Sequence, residues 1–416
     1  MALSRVLPFT ILPAAAIVAT LLAAAPAPRV QPAQRPQPQP APEPDDQVRM
    51  LVGRLDLERY KATIKGLTRF GDRRQGTDRN RAAIDWIEAQ LKTSGCTNTE
   101  RLSYEYHPPP RGTTPGGRQG GGRAGGRGGR GGLVVKGNRG PTGVNNDPAR
   151  QSDPRLRELN MQPSTAGPRE QIYCTKTGTT RPGEMYIIGA HMDGIGYGEA
   201  ADDNGSGTAI VMELARVLNS PDVQTECSIR FILWNNEETG LNGSRAYVEQ
   251  RRGLQGREDP PDSGRYPEPR WLGMIQHDMM LFDHGMPRAD GTLGPDQRPE
   301  ADVNIEFAGA SKKAAESQAL AWAFRAANER YATDYPAAVG NRMQSTDSVP
   351  FQDDVAAISL RENERGAQIG FGWNPHWHQP TDLFATFNDQ DFRLGLNAAQ
   401  TTLAAVARLS GATVKQ

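Results

Sequence analysis

The chain has 416 residues, 37% of them apolar, which is enough for one large or two modest globular units. Its 48 acidic and 48 basic residues give a formal net charge of zero, so the chain as a whole has no electrostatic preference for nucleic acid or anionic lipid. Its three scattered cysteines exclude a disulfide-rich scaffold and a cysteine-based zinc ribbon.

The first 25 residues have the composition of a secretory signal peptide. Arg5 precedes an apolar run over residues 6–25, which ends in the small residues typical of a cleavage site. An uncleaved membrane anchor is the alternative, although proline interrupts the run and its length is marginal for a bilayer. We therefore predict a secreted or periplasmic protein that contacts neither membrane nor nucleic acid.

A linker and the first folded elements are predicted to follow. Residues 26–47 are rich in proline and glutamine, a composition that favours an extended tether. Residues 48–416 are predicted to form a single folded domain. It opens with a helical pattern over residues 48–64, a second helix over 80–93 and a strand over 101–106.

A glycine- and arginine-rich segment interrupts this domain. Residues 111–133 contain a single apolar residue, Ala124, before Leu133, so they cannot form a core. We predict a flexible insertion over about residues 110–168. An arm that contacts RNA or another polyanion is the alternative to a plain surface loop, but export and the neutral surroundings favour the loop.

The cysteines allow at most one disulfide. Cys96 and Cys174 are predicted to lie on elements that flank the insertion, and the third cysteine is Cys227. In an exported protein a bridge between Cys96 and Cys174 is compatible with the sequence, and so are buried free thiols.

From residue 170 onwards, predicted strands and helices alternate. Near-continuous apolar strands separated by amphipathic helices predict an α/β fold in three layers, with a central, mostly parallel mixed sheet covered by helices on both faces. The predicted strands are 171–175, 184–190, 228–234, 271–278, 303–307 and 356–360, and the predicted helices are 208–218, 243–251, 311–331 and 391–409.

Ionisable side chains follow several of these strands. Because ligand crevices in such sheets lie at the carboxyl ends of the strands, we expect these side chains to meet along one edge. Two histidines with several carboxylates form a donor set that suits zinc or a similar divalent ion. The residues are His191 and Asp193 after one strand, Glu237 and Glu238 after another, Asp278 after a third, and His376 and His378 in a loop before the last helix.

Five sequence blocks resemble the M28 family of dizinc exopeptidases. In chain order they are His-Met-Asp at 191–193, Ala-Asp-Asp-Asn-Gly-Ser-Gly at 201–207, Asn-Glu-Glu-Thr-Gly-Leu at 236–241, His-Asp-Met at 277–279 and His-Gln-Pro-Thr-Asp at 378–382. The resemblance covers residues 170–390, and the order and spacing of the blocks are specific. It implies the three-layer fold of the zinc exopeptidases and two zinc ions as cofactors.

The resemblance also implies the metal ligands. Asp203 bridges the two zinc ions, His191 and Asp278 complete one site, and Glu238 and His378 complete the other. Each ion keeps an open position, so that the two ions share a water molecule whose pKa is lowered.

Roles beside the metals are implied in the same way. Glu237 is the general base, which takes a proton from that water and passes it to the leaving amine. Asp193 accepts a hydrogen bond from the ring nitrogen of His191 that faces away from the metal, and Asp382 serves similarly near His378.

Two ligand positions have alternatives. Asp202 is the alternative to Asp203, and His376 is the alternative to His378. The family resemblance further implies a cis peptide bond between Asp203 and Asn204.

The chain departs from the family pattern at residues 344–351. Ser348 stands where the family commonly has a histidine, in a region that helps to stabilise the oxyanion. Candidate replacements for that donor are Arg342, Tyr197 and Ser348.

Taken together, the N-terminal segment and the five blocks predict a secreted zinc aminopeptidase that acts on peptides with a free N-terminus. The sequence does not give the oligomeric state, and a monomer is the expectation. A carboxypeptidase-like enzyme is one alternative, with Arg342 or Arg361 holding the substrate carboxylate. A glutaminyl cyclase-like enzyme and a non-catalytic binding protein on the same scaffold are the others.

Overall fold

The computed structural model describes residues 44–108, 143–282, 303–362 and 374–415. They belong to a compact unit that extends from Pro42 to Gln416. The predicted signal peptide, most of the predicted linker and the glycine- and arginine-rich core of the predicted insertion lie outside the described residues.

A mixed β-sheet forms the centre of the described structure. Its strand order is β1-β2-β5-β3-β6-β9-β7-β8, and a separate two-stranded sheet pairs β4 with β10. In chain order the strands are β1 (Glu100–Tyr106), β2 (Gly167–Lys176), β3 (Arg181–His191), β4 (Val223–Gln224), β5 (Cys227–Trp234), β6 (Arg270–His277), β7 (Val303–Phe307), β8 (Ala337–Gly340), β9 (Ala357–Arg361) and β10 (Thr413–Val414).

The four central strands run parallel. β5, β3, β6 and β9 pair in parallel, whereas β1 and β2 add antiparallel strands at one side and β7 pairs antiparallel with β9 at the other. The predicted α/β fold with a mostly parallel mixed sheet is therefore confirmed. The short strand β8, which pairs with β7, was not predicted because its four residues carry no alternating apolar pattern.

Helices surround the sheet. The N-caps of α2, α3 and α8 are Asp56, Thr77 and Asn388, whose side chains accept main-chain hydrogen bonds from the first turn of the helix. Among the described residues no helix combines the length and the apolar composition that crossing a bilayer requires. The helices are α1 (Pro44–Val52), α2 (Leu57–Thr68), α3 (Asp78–Thr93), α4 (Pro154–Asn160), α5 (Gly207–Leu218), α6 (Asn242–Arg251), α7 (Ala314–Tyr331) and α8 (Asp389–Leu409).

Both faces of the sheet are covered, as predicted. Successive residues of a strand point to opposite faces, so Ile188 and Phe231 join one apolar cluster while Ile187 and Ile232 join the other. The first cluster packs under α5 and α8, and the second under α6 and Phe351. All eight residues of β5 are buried, which explains why six of them are apolar; the exceptions are Ser228 and Arg230.

The predicted flexible insertion is wrong at its C-terminal end. From Gly143 onwards the chain forms a helical turn, Pro148–Arg150, and then α4, and β2 begins at Gly167. Asp153 caps α4 by accepting hydrogen bonds from the main-chain N–H groups of its first turn. The prediction failed because asparagine, aspartate, proline and glycine dominate this stretch, a composition that reads as loop without its tertiary partners.

The cysteines are divided between a bridge and a buried thiol. Cys96 and Cys174 form a disulfide with a Cα–Cα distance of 5.9 Å, and Cys227 is free and buried. Of the two alternatives open from the sequence, the structure thus has the bridge. It ties the end of α3 to β2.

Candidate metal centre

Parallel pairing brings the predicted ligands to one edge of the sheet. β3 ends at His191, β6 is followed directly by Asp278, and Glu238 lies four residues after the end of β5. Asp203 lies in the turn before α5, and His378 lies in the loop before α8. The structure therefore places all five predicted metal ligands together.

Asp203 lies between two pairs of ligand atoms. Its Oδ2 is 2.9 Å from His378 Nε2, which is also 2.9 Å from Glu238 Oε2. Its Oδ1 is 3.4 Å from His191 Nε2, which is 3.5 Å from Asp278 Oδ1. Each oxygen of one carboxylate thus faces a separate histidine and a separate second carboxylate.

Several observations show that this donor set fits a divalent cation. Two ligands of a tetrahedral zinc ion lie about 3.3 Å apart, close to the separations found here. Buried Glu238 Oε1 has no hydrogen-bond partner among the described residues. His191 Nδ1 donates to the Asp193 carbonyl at 2.9 Å, which leaves Nε2 available as a metal ligand.

The predicted base also lies close to two of the predicted metal ligands. Ligand atoms of His191, Glu237 and Asp278 lie within 4.8 Å of one another, as do those of His191, Asp203 and Glu238. The Glu237 carboxylate is therefore within reach of a species held between these ligands.

Burial and mutual charge shift the pKa values of these groups. Burial opposes protonation of His378, but the carboxylates of Glu238 and Asp203 raise its pKa to about 10. Burial raises the pKa of Glu238 to about 7 and raises that of Glu237 well above its usual value. In the metal-free protein, protons on the histidines therefore offset the buried carboxylates.

Asp193 occupies the predicted place but makes different contacts. The predicted hydrogen bond from His191 Nδ1 to Asp193 is present, but it ends on the main-chain carbonyl at 2.9 Å, whereas the carboxylate Oδ1 lies 4.0 Å from that nitrogen. Instead, the carboxylate accepts the main-chain N–H groups of Glu237 at 3.0 Å and Glu238 at 3.4 Å. The acid fixes the loop that carries the candidate base and a ligand, and its own carbonyl orients His191.

Asp382 also differs from the prediction. Its two carboxylate oxygens accept the main-chain N–H groups of Asp202 at 2.8 Å and Asp203 at 3.1 Å. His378 Nδ1, which was expected to contact this acid, has no hydrogen-bond partner among the described residues. Asp382 therefore fixes the main chain at Asp203 rather than the ring of His378.

The alternative ligands point elsewhere. The Asp202 carboxylate accepts hydrogen bonds from Leu281 N at 2.9 Å and Asn374 Nδ2 at 2.5 Å. His376 Nδ1 lies 2.9 Å from the Thr381 hydroxyl. The peptide bond between Asp203 and Asn204 is cis, as the family resemblance implied.

Arg361 has a role that sequence reasoning missed. This side chain ends β9 and is 2% exposed, and its Nη2 lies 3.2 Å from Asp278 Oδ2, the oxygen that faces away from His191. Burial would raise the pKa of Asp278, but the guanidinium and His191 lower it to about 2. Its position at the end of a strand of the same edge is the signal that could have identified it.

The structure leaves fewer candidates for the donor that stabilises the oxyanion. Ser348 is buried, and its hydroxyl is already engaged with Met343 Sδ at 2.9 Å. Arg342 is exposed and pairs through its main chain with Ala308. Tyr197 lies on the loop between His191 and Asp203, which makes it the candidate nearest to the ligands in the chain.

Comparison with known proteins connects this geometry to one family. A model described as peptidase family M28 matches residues 172–400, more than half of the chain. A probable lipoprotein aminopeptidase of Mycobacterium tuberculosis, LpqL, is 42% identical over 100 residues, which are 24% of this chain and 19% of that protein. The match therefore spans less than a fifth of this relative.

Solved structures share the fold at low identity. A zinc aminopeptidase of Bacillus subtilis, BSAP, superimposes with a TM-score of 0.56 and 18% identity, over 87% of this chain and 96% of that one. The glutaminyl cyclase of Porphyromonas gingivalis superimposes with a TM-score of 0.51 and 16% identity, over 85% of this chain and 99% of that one. The fold alone is thus compatible with both chemistries.

Proposed function

Since the chain belongs to peptidase family M28, we propose that it is a dizinc aminopeptidase that removes N-terminal residues from peptides. The observation that carries this proposal is the position of Asp203, whose two oxygens face His378 and His191 separately. A carboxylate in that position is suited to bridge two ions. The composition of residues 1–25 supports the further proposal that the protein is exported.

The ligands divide into two sets around this bridge. His191 and Asp278 would hold one ion and Glu238 and His378 the other, with Asp203 common to both. Zinc bound there would supply Lewis acidity to a substrate carbonyl oxygen and would lower the pKa of a water molecule.

Glu237 is placed to move the proton. Its side chain belongs to the same cluster as His191 and Asp278, and its main chain is held by the Asp193 carboxylate at 3.0 Å. We assign Glu237 the role of general base, which accepts the proton of the attacking water and delivers it to the leaving amine. Asp193 positions this base without touching the substrate.

The charges of the site favour an amino rather than a carboxylate terminus in the substrate. The edge of the sheet carries several buried acids, which suit a free ammonium group. Of the two arginines considered for a carboxypeptidase, Arg361 is buried against Asp278 and two main-chain carbonyls, so it is not free to hold a substrate carboxylate. The relative LpqL, which is named a probable lipoprotein aminopeptidase, also supports this choice.

Replacement of Glu237 by glutamine tests the proposal. We expect the variant to retain its zinc while turnover of aminoacyl amides falls by about 100-fold to 10,000-fold, because general-base catalysis contributes on that scale. Zinc content is measured by elemental analysis and turnover by release of the amine product. The matched control is Glu249→Gln, an exposed position on α6, which should behave as the parent.

A substrate panel separates the remaining activities. Similarity to the glutaminyl cyclase fold makes cyclisation of an N-terminal glutamine the second candidate. Unblocked and N-blocked aminoacyl amides, an N-terminal glutaminyl peptide and a peptide ending in glutamate are incubated with the parent protein. Cleavage of the N-blocked amides, or ammonia release from the glutaminyl peptide alone, would contradict aminopeptidase activity.

A further inference from the structure

The segment from Gly143 to Asn160, here called the strap, lies against two loops that carry or flank metal ligands. The first loop, residues 192–200, connects His191 to the turn that contains Asp203. The second, residues 378–382, begins with His378 and is here called the His378 loop. The strap is distant in sequence from the His378 loop, so its contacts are tertiary.

Gln151 joins the two loops with one side chain. Its Nε2 donates hydrogen bonds to the carbonyl of Tyr197 at 2.8 Å and to the carbonyl of Pro380 at 3.1 Å. Its Oε1 accepts the N–H of Asp153 at 2.9 Å, which fixes the orientation of the amide. Gln151 is 2% exposed, so water does not readily replace these bonds.

Asn145 makes a second connection between the same loops. Its main-chain N–H donates to the carbonyl of His378 at 3.0 Å, and its Nδ2 donates to the carbonyl of Gly196 at 3.2 Å. Gln379 returns a hydrogen bond from Nε2 to the carbonyl of Gly143 at 2.7 Å. The His378 loop is therefore bonded to the strap in both directions.

The main chain of both loops needs such support. His378 has a φ of 55° and Tyr197 a φ of 70°, in the left-handed region that non-glycine residues adopt at a cost. Gly196 has a φ of 100°, and a Cβ there would collide with the His378 carbonyl group. A ligand on such a backbone keeps its position only where surrounding contacts enforce it.

We propose that the strap is a positioning element of the metal centre. Gln151 and Asn145 hold the His378 loop against the first loop and so set the affinity for the ion bound by His378 and Glu238. This inference rests on the proposed dizinc centre. It assigns a role to a segment whose composition predicts only a flexible insertion.

Gln151→Leu tests the proposal, because leucine has a similar volume but cannot donate hydrogen bonds. Zinc is titrated into the full-length, metal-free parent and variant in competition with a chelator. We expect one of the two zinc affinities to fall about 10- to 100-fold, the range for residues that orient ligands, while the other is unchanged. Turnover lost at low free zinc should return at saturating zinc.

Gln255→Leu is the matched control. Gln255 accepts the Trp271 N–H at 2.9 Å near the start of β6, at the end of that strand opposite Asp278. The Gln255→Leu substitution should leave both zinc affinities and turnover unchanged. If Gln151→Leu does not fold, Asn145→Ala is the second variant. It removes the bond to Gly196 together with two local bonds to the main chain of Asp147, and it tests the same loop with a smaller expected loss.

The outcomes distinguish this inference from the proposed function. A parent protein that binds fewer than two ions contradicts the dizinc centre, and the role of the strap with it. A parent that binds two ions, beside a Gln151→Leu variant with the same two affinities and a lowered unfolding temperature, contradicts the strap alone. In that case the strap is ordinary packing.

Discussion

At the scale of single residues, Asp278 and Asp193 each hold two neighbouring groups of the site. Asp278 turns one oxygen towards His191 and the other towards Arg361. Asp193 uses its carboxylate to hold the loop with Glu237, while its carbonyl orients the His191 ring. These groups have little freedom to rotate, and a site with fixed ligands loses little entropy when an ion binds.

Arg361→Met tests the partner of Asp278. The variant leaves a buried carboxylate without its guanidinium, so we expect the metal-free protein to lose about 3–5 kcal/mol of unfolding free energy. We also expect zinc affinity to fall because Asp278 loses its orientation. Denaturant unfolding and zinc titration provide the measurements. Arg59→Met, at an exposed position on α2, is the control, and equal stability of the two variants would contradict the role of Arg361.

At the scale of secondary-structure elements, the disulfide and the strap link segments that are not connected by strand pairing or within one helix. Cys96 follows α3 and Cys174 lies in β2. The bridge therefore joins residues separated by 78 positions in the sequence and closes the chain between them into a loop. This loop contains the glycine- and arginine-rich segment. A cross-link of that length restricts the unfolded chain, which favours the folded state.

Thiol counting tests the bridge. Burial raises the pKa of the Cys227 thiol to about 11, so we expect the native protein to react very slowly with a thiol reagent near pH 8. Unfolded without reductant, the chain should expose one thiol, and with reductant all three. Three reactive thiols in the unreduced, unfolded protein would show that the bridge is absent.

At the scale of the whole molecule, the metal centre joins segments from most of the chain. Its ligands come from the ends of β3 and β6, the loop after β5, the turn before α5 and the loop before α8. Ions that bind only this assembled state stabilise the fold by mass action. Zinc should therefore act on global unfolding and not only on the local loops.

The pH dependence of this stabilisation is a further prediction. Neighbouring carboxylates raise the pKa of His378 to about 10, so below that pH zinc must displace its proton. Affinity then falls by about tenfold per pH unit for each proton released. Calorimetric scans with and without zinc should show a rise in unfolding temperature that shrinks from about pH 8 to about pH 6. A constant rise would contradict proton displacement.

The parallel core and the polar residues that follow its strands can be predicted from the amino-acid sequence. Largely apolar runs such as β5 identify buried strands, and the carboxyl ends of parallel strands meet at one edge of a sheet. The sequence therefore predicts that His191, Glu238 and Asp278 lie close together. The ligand roles of Asp203 and His378 came instead from the resemblance of the sequence blocks to the M28 family. Apolar strand patterns and motif blocks are both local properties of the sequence.

The partner of each polar group, by contrast, is known only from the packing of the folded chain. The contact of Arg361 with Asp278, the bonds of Asp193 and Asp382 to main-chain N–H groups, and the bonds of Gln151 join residues far apart in sequence. No periodicity encodes such contacts, because a hydrogen bond depends on distances within about 3.2 Å that arise only once the elements have packed. For the same reason, the strap has the composition of a loop, and its defined conformation depends on its contacts with the two loops.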